Sequence, residues 1–514
     1  MVQLSKLLTL LAATLAASAP LDLEKRTDGT ATTALCTSAG CDNCNTGTRT
    51  AQQYGQQYFS PMETYKSIRY TGTHTGQAVS QIQLCSPSMG YLAPISPKIS
   101  LETMPSIVVL GCGIYGLSTA YALARIQNSG QNITIIDVAE YACEGASGRP
   151  TTFLSDAHVR NPDLAALLRY SLAMHAELSR RCSGGARWQY QSAQNFDATP
   201  ANGSIDAEIP AGLSWLKCGE PWTDAQWSRS TEYCSVDSHA LGCFLLDEIR
   251  AGGAKIMFST NVVRASRNSG HAVSALHVRP LGGDESSEVE IPCDRLLIAA
   301  GPWTAKVLKT LYPSATLDVP IYADTGSYSI LLQPLPGGTS QPDWLNKSVV
   351  LHTGPRSTQL MMRQDGLVHA ATVPPVTLDI GNFAGDSRVT HVGNALHDLE
   401  TSIQSMLGMP SVTVLRRACF NPVTRSGLPI MSQVPYSCLD QANSTLAADG
   451  RDSGVYILGG HGYWGIAASL GSGKLMAQVM LGIKPDISLE NFQLGTAPAR
   501  ETANGQDSPS RNGC

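Results

Sequence analysis

The chain has 514 residues, of which 43% are hydrophobic, and a formal net charge of −5 at pH 7. This length suits one large two-lobed domain or two to three smaller ones, and the hydrophobic fraction is ample for a sizeable core. The slightly acidic balance contains no long basic run, so composition argues against nucleic acid and anionic membranes as partners.

The first 26 residues follow the pattern of a secretory signal peptide. Lys6 precedes an apolar run at 7–17, and the small residues that close it predict cleavage after Ala19. About a dozen apolar residues are too few to span a bilayer, so a membrane anchor is the poorer interpretation. The Lys25–Arg26 pair is either a dibasic processing site, which would add a pro-segment, or solvated charge.

The segment 27–103 is rich in Thr, Ser, Gln and Gly and shows little hydrophobic periodicity. It is either a small disulfide-containing module or a disordered, low-complexity leader. Four cysteines allow two bridges in three connectivities, and no His lies at ligand spacing, which disfavours zinc. These cysteines are Cys36, Cys41, Cys44 and Cys85.

Residues 104–124, MPSIVVLGCGIYGLSTAYALA, combine a short apolar strand, a glycine-rich turn and an amphipathic helix. Gly111 allows the sharp exit from the strand, which we predict at 107–110, Gly113 lets the backbone approach phosphates, and Gly116 lets helix and strand pack tightly. The helix N-terminus offers unpaired N–H groups and a positive dipole end to negative charge. This unit predicts a dinucleotide site, the alternative being a structural glycine turn in another α/β protein.

A second apolar strand at 133–136 ends in Asp137, roughly 20 residues beyond the last glycine of the turn. An acidic residue at this place can accept hydrogen bonds from the ribose hydroxyls of a dinucleotide. Asp137 therefore strengthens the prediction of a βαβ nucleotide site.

Further elements follow in the order of an α/β fold. We predict a capped helix at 235–252, a strand at 255–259, a hairpin from 272–278 and 289–291, and a buried strand at 296–300. The last strand ends in the turn AAGPWT, which a parallel sheet would place at its ligand-binding carboxyl edge.

Near the C-terminus a strand at 455–458 is followed by the sequence GGHGYWGI and a second helix that begins at a glycine. The apolar face of this helix starts at Ile466, and Gly482 and Pro485 end it. A second helix N-terminus is therefore directed into the interior.

The motifs GCGIYG, GASGR (145–149), AAGPWT, CFNPVTRSGLPI (419–430) and GGHGYWGI occur along the chain in this order. Through them the chain resembles the FAD-dependent oxidoreductase family of D-amino acid, glycine and sarcosine oxidases, and its fungal members in particular. The resemblance covers about residues 104–494. It implies FAD as the cofactor and a small-molecule amine or amino-acid-like substrate.

The resemblance implies an α/β (α+β) fold with two lobes. One is a Rossmann-like FAD-binding domain formed by 104–185, 231–316 and 416–494, and the other is an inserted antiparallel β-sheet substrate domain formed by 186–230 and 317–415. We expect a strand at 325–332 in the second lobe and a hairpin turn at Arg363, Asp365 and Gly366. Residues 495–514 are expected to form a disordered tail.

Enzymes of this family transfer a hydride from a carbon beside nitrogen to flavin N5. The resemblance thus implies oxidation of a C–N bond in an amine or N-substituted amino acid, with oxygen as a candidate acceptor. The helix near Gly465 is expected to stabilise the negative charge of the reduced flavin. His461 and Trp464 are candidates for a position beside the ring, whereas His158 and His239 receive no role.

The residues expected to hold FAD lie in these motifs, with Val262 as an addition. They are Gly111, Gly113, Ile114, Tyr115, Gly116, Asp137, Ala146, Ser147, Gly148, Arg149, Val262, Ala300, Gly301, Trp303, Cys419, Gly460, Gly462, Gly465 and Ile466. Cys419 occupies the place at which some sarcosine-oxidase relatives bond the flavin covalently, so it is either a tether or an inert buried thiol. No metal site is expected.

One departure from the family pattern bears on the substrate. Asn421 stands where glycine and D-amino acid oxidases have an arginine for the substrate carboxylate, which puts a simple amino-acid substrate in doubt. Arg363 or Arg425 could substitute, although arginines on loops are more often merely exposed.

Two further observations concern the surroundings of the flavin and the substrate. Residues 150–152 read PTT where relatives usually have paired glycines, a change expected to alter flavin contacts. Tyr322 and Tyr328 either line the substrate pocket or belong to the core, which is commoner for aromatic residues on strands.

Met104 stands where an intracellular enzyme of this fold would begin. The leader is a natural fusion, a merger of two neighbouring genes, or a segment bypassed when translation starts at Met104, so the protein is either secreted or cytoplasmic. The cysteines beyond it are scattered singly, which favours reduced, buried thiols over a disulfide framework. They are Cys112, Cys143, Cys182, Cys218, Cys234, Cys243, Cys293, Cys419, Cys438 and Cys514.

Two other functions stay open from the sequence. An NAD-linked dehydrogenase would use the first glycine motif but would leave GGHGYWGI unexplained. A secreted cysteine-rich interaction protein would act through the leader and carry a degenerate flavin fold, for which the altered motif residues are the support.

Overall fold

The computed structural model divides the chain into two compact units, residues 1–95 and 96–514. The described residues are 30–36, 44–50, 67–74, 77–85, 104–149, 153–157, 159–200, 208–217, 225–269, 272–324, 326–335, 344–353, 356–372, 380–382, 397–439 and 453–495. Several sequence predictions lie outside these ranges. They are the signal segment 1–26, Cys41, the 150–152 departure, His158, Cys218 and the tail from 496 onward.

The first unit contains a four-stranded antiparallel sheet with the order β2-β1-β3-β4. Its strands are β1 (Thr30–Cys36), β2 (Cys44–Thr50), β3 (Ser67–His74) and β4 (Gln77–Cys85). In the backbone register Cys36 lies opposite Cys44. The segment whose composition suggests a leader thus holds a sheet, while the pairing of its cysteines stays a prediction.

The second unit contains the other strands and all the helices of the described residues. Its strands are β5 (Ile107–Leu110), β6 (Ile133–Ile136), β7 (Phe153–Leu154), β8 (Gln191–Pro200), β9 (Ala225–Ser235), β10 (Lys255–Met257), β11 (Thr260–Arg267), β12 (Val273–Pro280), β13 (Val289–Pro292), β14 (Arg295–Ile298), β15 (Tyr322–Ala323), β16 (Ser327–Pro334), β17 (Lys347–Thr353), β18 (Arg356–Met362), β19 (Val368–Thr372), β20 (Ser411–Cys419), β21 (Pro422–Val423), β22 (Ile430–Gln433) and β23 (Val455–Gly459). Its helices are α1 (Ile114–Gln127), α2 (Pro162–Cys182), α3 (Gly184–Trp188), α4 (Ser238–Ala251), α5 (Thr304–Leu311), α6 (His397–Ser405) and α7 (Gly465–Met480).

A six-stranded sheet carries the predicted βαβ motif. Its order is β10-β6-β5-β14-β23-β22, and all neighbours are parallel except the edge strand β22. The strands β5 and β6 span the predicted residues, and β14 lies between β5 and β23 with Leu296, Leu297 and Ile298 inaccessible to solvent. Continuous apolar runs form these central strands because both faces of the sheet are covered.

The two faces of this sheet pack into separate cores. One core joins the sheet to α1, α2, α4 and α7, and the other joins it to β12, β13 and α5. The Asp237 side chain accepts the Ala240 N–H at 2.9 Å, so the predicted helix at 235–252 begins at Ser238, after this cap. Asn161 caps α2 in the same way, with Pro162 in its first turn.

A three-stranded antiparallel sheet, β11-β12-β13, contains the predicted hairpin. Strand β11 is not apparent from the sequence, because its segment TNVVRASR has no regular alternation of apolar and polar residues. No helix in the described parts of the chain has the length and apolar character that a membrane crossing requires.

An eight-stranded sheet has the order β20-β16-β19-β18-β17-β8-β9-β7, and its neighbours are antiparallel except β8 and β17. The strand predicted at 325–332 is β16, and the predicted turn at Arg363 to Gly366 joins β18 to β19. Tyr328 packs in the core of this sheet with Ile330 and Leu360, so of the two alternatives for this residue the structure supports the core. Contacts group residues 96–514 as one compact unit, and the predicted lobe boundaries stay predictions.

We predict that Gly473→Ala destabilises the fold. An added Cβ on Gly473 in α7 would lie 2.5 Å from the carbonyl carbon of Ser118 in α1. Ala gains about 1 kcal/mol over Gly inside a helix, whereas overpacking costs about 1–3 kcal/mol, so the melting temperature should fall. Gly185→Ala is the control, since its nearest neighbour is 3.6 Å away. Equal melting temperatures for both variants would contradict this account of the α1–α7 contact.

Candidate active site

A cavity of about 2000 Å³ opens at the carboxyl-terminal edge of the parallel sheet. Its wall combines the loops after β5, β6, β14 and β23 with residues from β16, β18 and β19. Sites for single small ligands occupy about 300–1000 Å³, so this cavity has room for an elongated ligand and a second molecule.

Two glycines of the first motif are required by close packing. Gly111 has a φ of +109°, and an added Cβ would lie 2.3 Å from the carbonyl oxygen of Ala299. At Gly116 an added Cβ would lie 1.9 Å from the carbonyl oxygen of Gly111, so a larger residue would push α1 away from β5. Gly113 lines the cavity, whereas Gly116 lies outside its lining and contributes through the packing of α1 on β5.

The Asp137 carboxylate lies in the cavity wall at the end of β6. Its two oxygens accept the Cys112 N–H at 2.5 Å and the Ala139 N–H at 2.9 Å. Burial raises the pKa of Asp137, and these backbone hydrogen bonds oppose the rise. Each carboxylate oxygen keeps acceptor capacity for a further donor from the cavity, such as a ribose hydroxyl.

The GASGR segment contributes to the same wall. The Ser147 hydroxyl accepts the Ile114 N–H at 2.9 Å, so it caps the first turn of α1. Arg149 is buried and donates to the carbonyl oxygen of Ala418 at the end of β20. Gly148 lines a separate cavity of about 140 Å³ instead of the large one, because it packs against Cys143.

The N-terminus of α7 faces the large cavity through Gly465 and Ile466. Among the described residues no side chain caps this terminus, and the Tyr115 hydroxyl donates to the Gly465 carbonyl oxygen, which ties α7 to α1. Gly462, with a φ of +54°, and Gly460, with a φ of +82°, shape the turn that leads into the helix. Gly462 lines the cavity and Gly460 does not.

His461 is buried beside this turn, with 2% of its surface exposed. Its Nε2 lies 3.0 Å from the Ser472 hydroxyl, and its ring stacks on Tyr115 with centroids 3.8 Å apart. Burial lowers the pKa of His461 to about 3, so the ring is neutral at physiological pH. Its Nδ1 has no hydrogen-bond partner among the described residues, which fits a polar ligand atom in the cavity.

Most residues that the sequence analysis assigned to FAD meet at this cavity. Besides those already placed, the lining includes Ile114, Tyr115, Ala146, Ser147, Arg149, Val262, Ala300, Gly301, Trp303, Cys419 and Trp464. His239 lines the 140 Å³ cavity instead, with its Nδ1 3.7 Å from the Cys243 thiol. Within the described ranges no cluster of His, Cys, Asp and Glu could hold a metal ion.

The Asn421 departure has a structural partner. Asp324 accepts the Asn421 backbone N–H and its side-chain amide, both at 2.9 Å, and the Gly326 N–H at 3.0 Å. Asn421 therefore pairs with a carboxylate of its own chain. Burial raises the pKa of Asp324, against these hydrogen bonds.

Arg363 does not substitute for the missing arginine. Its guanidinium pairs with Asp237 at 2.6 Å and with Asp365 at 2.8 Å, and it borders the 140 Å³ cavity, away from the large one. Arg425 does line the large cavity, where it is exposed and lies over the Tyr322 ring at 5.3 Å. Tyr322 lies behind Arg425, outside the cavity lining.

A row of side chains on the eight-stranded sheet, polar except for Ala371, is not apparent from the sequence. Ser329 of β16 lies opposite Ala371 of β19, which lies opposite Gln359 of β18. Ser327 and Ser357 lie two residues further along on the same face, and all five residues line the cavity. The alternation of residues in SYSILL and STQL is the sequence signal for this face. The pairing register of strands distant in sequence is also needed to show that these residues lie side by side.

A family model described as FAD dependent oxidoreductase matches residues 106–479, more than half of the chain. This chain belongs to that family. It is therefore an FAD-dependent oxidoreductase with FAD as its cofactor, which decides against the nicotinamide alternative.

Known proteins of several species are similar over most of their length. The Schizosaccharomyces pombe protein C1F5.03c, named as an oxidoreductase, is 21% identical over 73% of this chain and 94% of its own. Iminodiacetate oxidase from Chelativorans sp. BNC1 superposes with a TM-score of 0.55 at 19% identity, over 75% of this chain and 98% of its own. Glycine oxidase from Bacillus cereus has a TM-score of 0.56 at 16% identity, over 78% of this chain and 100% of its own. These structures share the fold.

The cavity fits FAD on features of its own. Two helix N-termini, those of α1 and α7, reach it, and glycines that tolerate no Cβ bring α1 close to β5. Asp137 offers a carboxylate to the ribose, and the unpaired Nδ1 of His461 offers a buried polar contact.

We predict that Asp137→Asn weakens FAD binding by about 10- to 100-fold, because a hydrogen bond to a charged group contributes about 1.5–3 kcal/mol. Titration of flavin-stripped protein, followed by tryptophan fluorescence, measures this Kd. Asp294→Asn is the matched control, since Asp294 also accepts a backbone N–H, that of Ser106 at 2.7 Å, but lies outside the cavity. Equal Kd values for the two variants would show that Asp137 has no contact with FAD.

We predict that FAD is held without a covalent bond to Cys419. Burial raises the pKa of the Cys419 thiol to about 12, with Asp324 adding to the rise and Arg149 opposing it, so the nucleophilic thiolate is scarce. Acid precipitation should release the flavin into the supernatant. A coloured pellet from the wild-type chain that becomes colourless in Cys419→Ala would establish the tether instead.

Proposed function

We propose that this protein oxidises a C–N bond of an amine or N-substituted amino acid, with oxygen as the electron acceptor. The N-termini of α1 and α7 together form what we call the FAD cradle. The observation that carries the proposal is a single cavity whose wall runs from this cradle to the polar row on the eight-stranded sheet. The iminodiacetate and glycine oxidases that share its fold add support from their names alone.

The bound flavin supplies the hydride acceptor. The chain's own part is to position the substrate and to stabilise the charge that hydride transfer creates. The uncapped first turn of α7 presents N–H groups and the positive end of the helix dipole to the cavity at Gly465 and Ile466. His461, neutral in this setting, can exchange a hydrogen bond there without adding a charge.

The substrate side of the cavity favours a substrate other than a simple amino acid. In the described part of the chain four cationic side chains line the cavity, namely Arg149, Arg160, Lys306 and Arg425. Arg149 is engaged with the Ala418 carbonyl oxygen, and the other three are exposed. Apart from Arg149, no described arginine of the cavity lining is buried, whereas neutral hydroxyl and amide groups line the sheet face.

The test is reduction of the flavin by a panel of substrates. The full chain, loaded with FAD, is mixed without oxygen with glycine, sarcosine, iminodiacetate and N-methylbenzylamine. We expect N-methylbenzylamine, which has no carboxylate, to bleach the flavin at least about tenfold faster than glycine, since Arg149 is the one buried arginine in the described lining and it is bound to the Ala418 carbonyl oxygen. Admission of oxygen should restore the colour and yield peroxide. Bleaching by 2-hydroxy acids and by none of the amines would contradict the proposal.

A further inference from the structure

Three side chains from adjacent strands form a hydrogen-bonded chain that ends at the cavity. The Ser357 hydroxyl of β18 lies 3.3 Å from His352 Nδ1 of β17, and His352 Nε2 lies 3.2 Å from an Asp197 oxygen of β8. Ser357 and His352 are directly opposite in the antiparallel register. Ser357 lines the large cavity, and His352 and Asp197 are 16% and 27% exposed.

The acceptor and donor roles in this chain follow from chemistry. An ionised carboxylate can only accept, so His352 donates its Nε2–H to Asp197 and keeps a lone pair on Nδ1. The Ser357 hydroxyl then donates to Nδ1. Because its hydrogen points toward the imidazole, the oxygen lone pairs of Ser357 remain available to a hydrogen-bond donor in the cavity. Asp197 is the charged side chain in contact with His352 among the described residues of β8, β17 and β18.

A chain of this kind is not by itself a functional site. The three-stranded sheet holds a similar one, in which the Ser266 hydroxyl lies 2.8 Å from His277 Nε2 and Glu288 lies 3.1 Å from His277 Nδ1. Those three residues do not line the cavity. The difference is position, since only in the Asp197–His352–Ser357 chain does the serine face the space beside the FAD cradle.

We propose that the Asp197–His352–Ser357 chain takes the proton from the substrate ammonium group before oxidation, an inference that rests on the proposed amine oxidase function. The substrate N–H bond breaks as a proton passes to the Ser357 oxygen. The hydroxyl proton of Ser357 moves to His352 Nδ1 in the same step, so the serine ends neutral. The imidazolium formed faces Asp197, no electrons leave or enter, and the substrate nitrogen gains a free lone pair.

The amine must lose this proton because a hydride leaves the neighbouring carbon readily only when nitrogen has a lone pair to share. At neutral pH a simple alkylammonium, with a pKa of about 10, is almost wholly protonated. Proton transfer through this chain of three side chains, the relay, therefore matters most at neutral pH. Its advantage disappears as the pH approaches the pKa of the substrate. This dependence separates proton transfer from simple positioning, which would act equally at every pH.

The experiment measures the rate of anaerobic flavin reduction against pH for the full, FAD-loaded chain, with sarcosine, iminodiacetate and N-methylbenzylamine as probes. Ser357→Ala and His352→Gln should be about 100-fold slower than wild type near neutral pH, the order of magnitude of a general base. The deficit should shrink to a few-fold near the pKa of the amine. Asp197→Asn should show the same trend, and Ser357→Thr, which keeps the hydroxyl, should retain most of the rate.

Ser266→Ala is the matched control, because it breaks the second chain outside the cavity and should keep the wild-type pH profile. Melting temperatures and flavin content verify that each variant is folded and loaded. A deficit in Ser357→Ala that is constant across pH, or no deficit at all, would overturn the relay. Failure of all three amines to reduce the wild-type flavin would instead overturn the proposed function, so the two failures are distinct.

Discussion

The close contact between α1 and α7 sets the position of the cavity to which we assign FAD. Gly473 meets Ser118 across this contact, and the Tyr115 hydroxyl joins α1 to the first residue of α7. Because both helices follow parallel strands of one sheet, the contact brings two positive helix ends to the same edge. The FAD cavity, the buried His461 and the access to the eight-stranded sheet all depend on this arrangement.

Charge in the cavity is distributed in a way that suits this function. Asp137 places a carboxylate at the end of β6, where a ribose is expected. His461 is neutral and adds no charge beside the start of α7. The sheet face opposite the cradle offers hydroxyl and amide groups. In the proposed reaction, negative charge on the flavin would meet the helix dipoles, and the substrate would meet groups that exchange hydrogen bonds or, at Ser357, a proton.

The sequence predicts the local part of this structure well. The strands β5 and β6 match their predicted bounds. Each is a short apolar run that ends at a glycine turn or at Asp137, which is the pattern of a buried strand. The features that the sequence does not predict are contacts between side chains that are distant in sequence. The sequence leaves a substrate role for Arg363 as the less favoured alternative, and its contact with Asp237, 126 residues away, speaks against that role. Asp197 meets His352 only through the register of β8 and β17.

The most direct test of the central claim is calorimetric titration of the flavin-stripped full chain with FAD and, separately, with NAD. The account predicts saturable binding of one FAD per chain and no saturation with NAD at the same concentrations. Absence of FAD binding by a folded chain, or equal affinity for NAD, would contradict the assignment of the two helix ends to a flavin cradle.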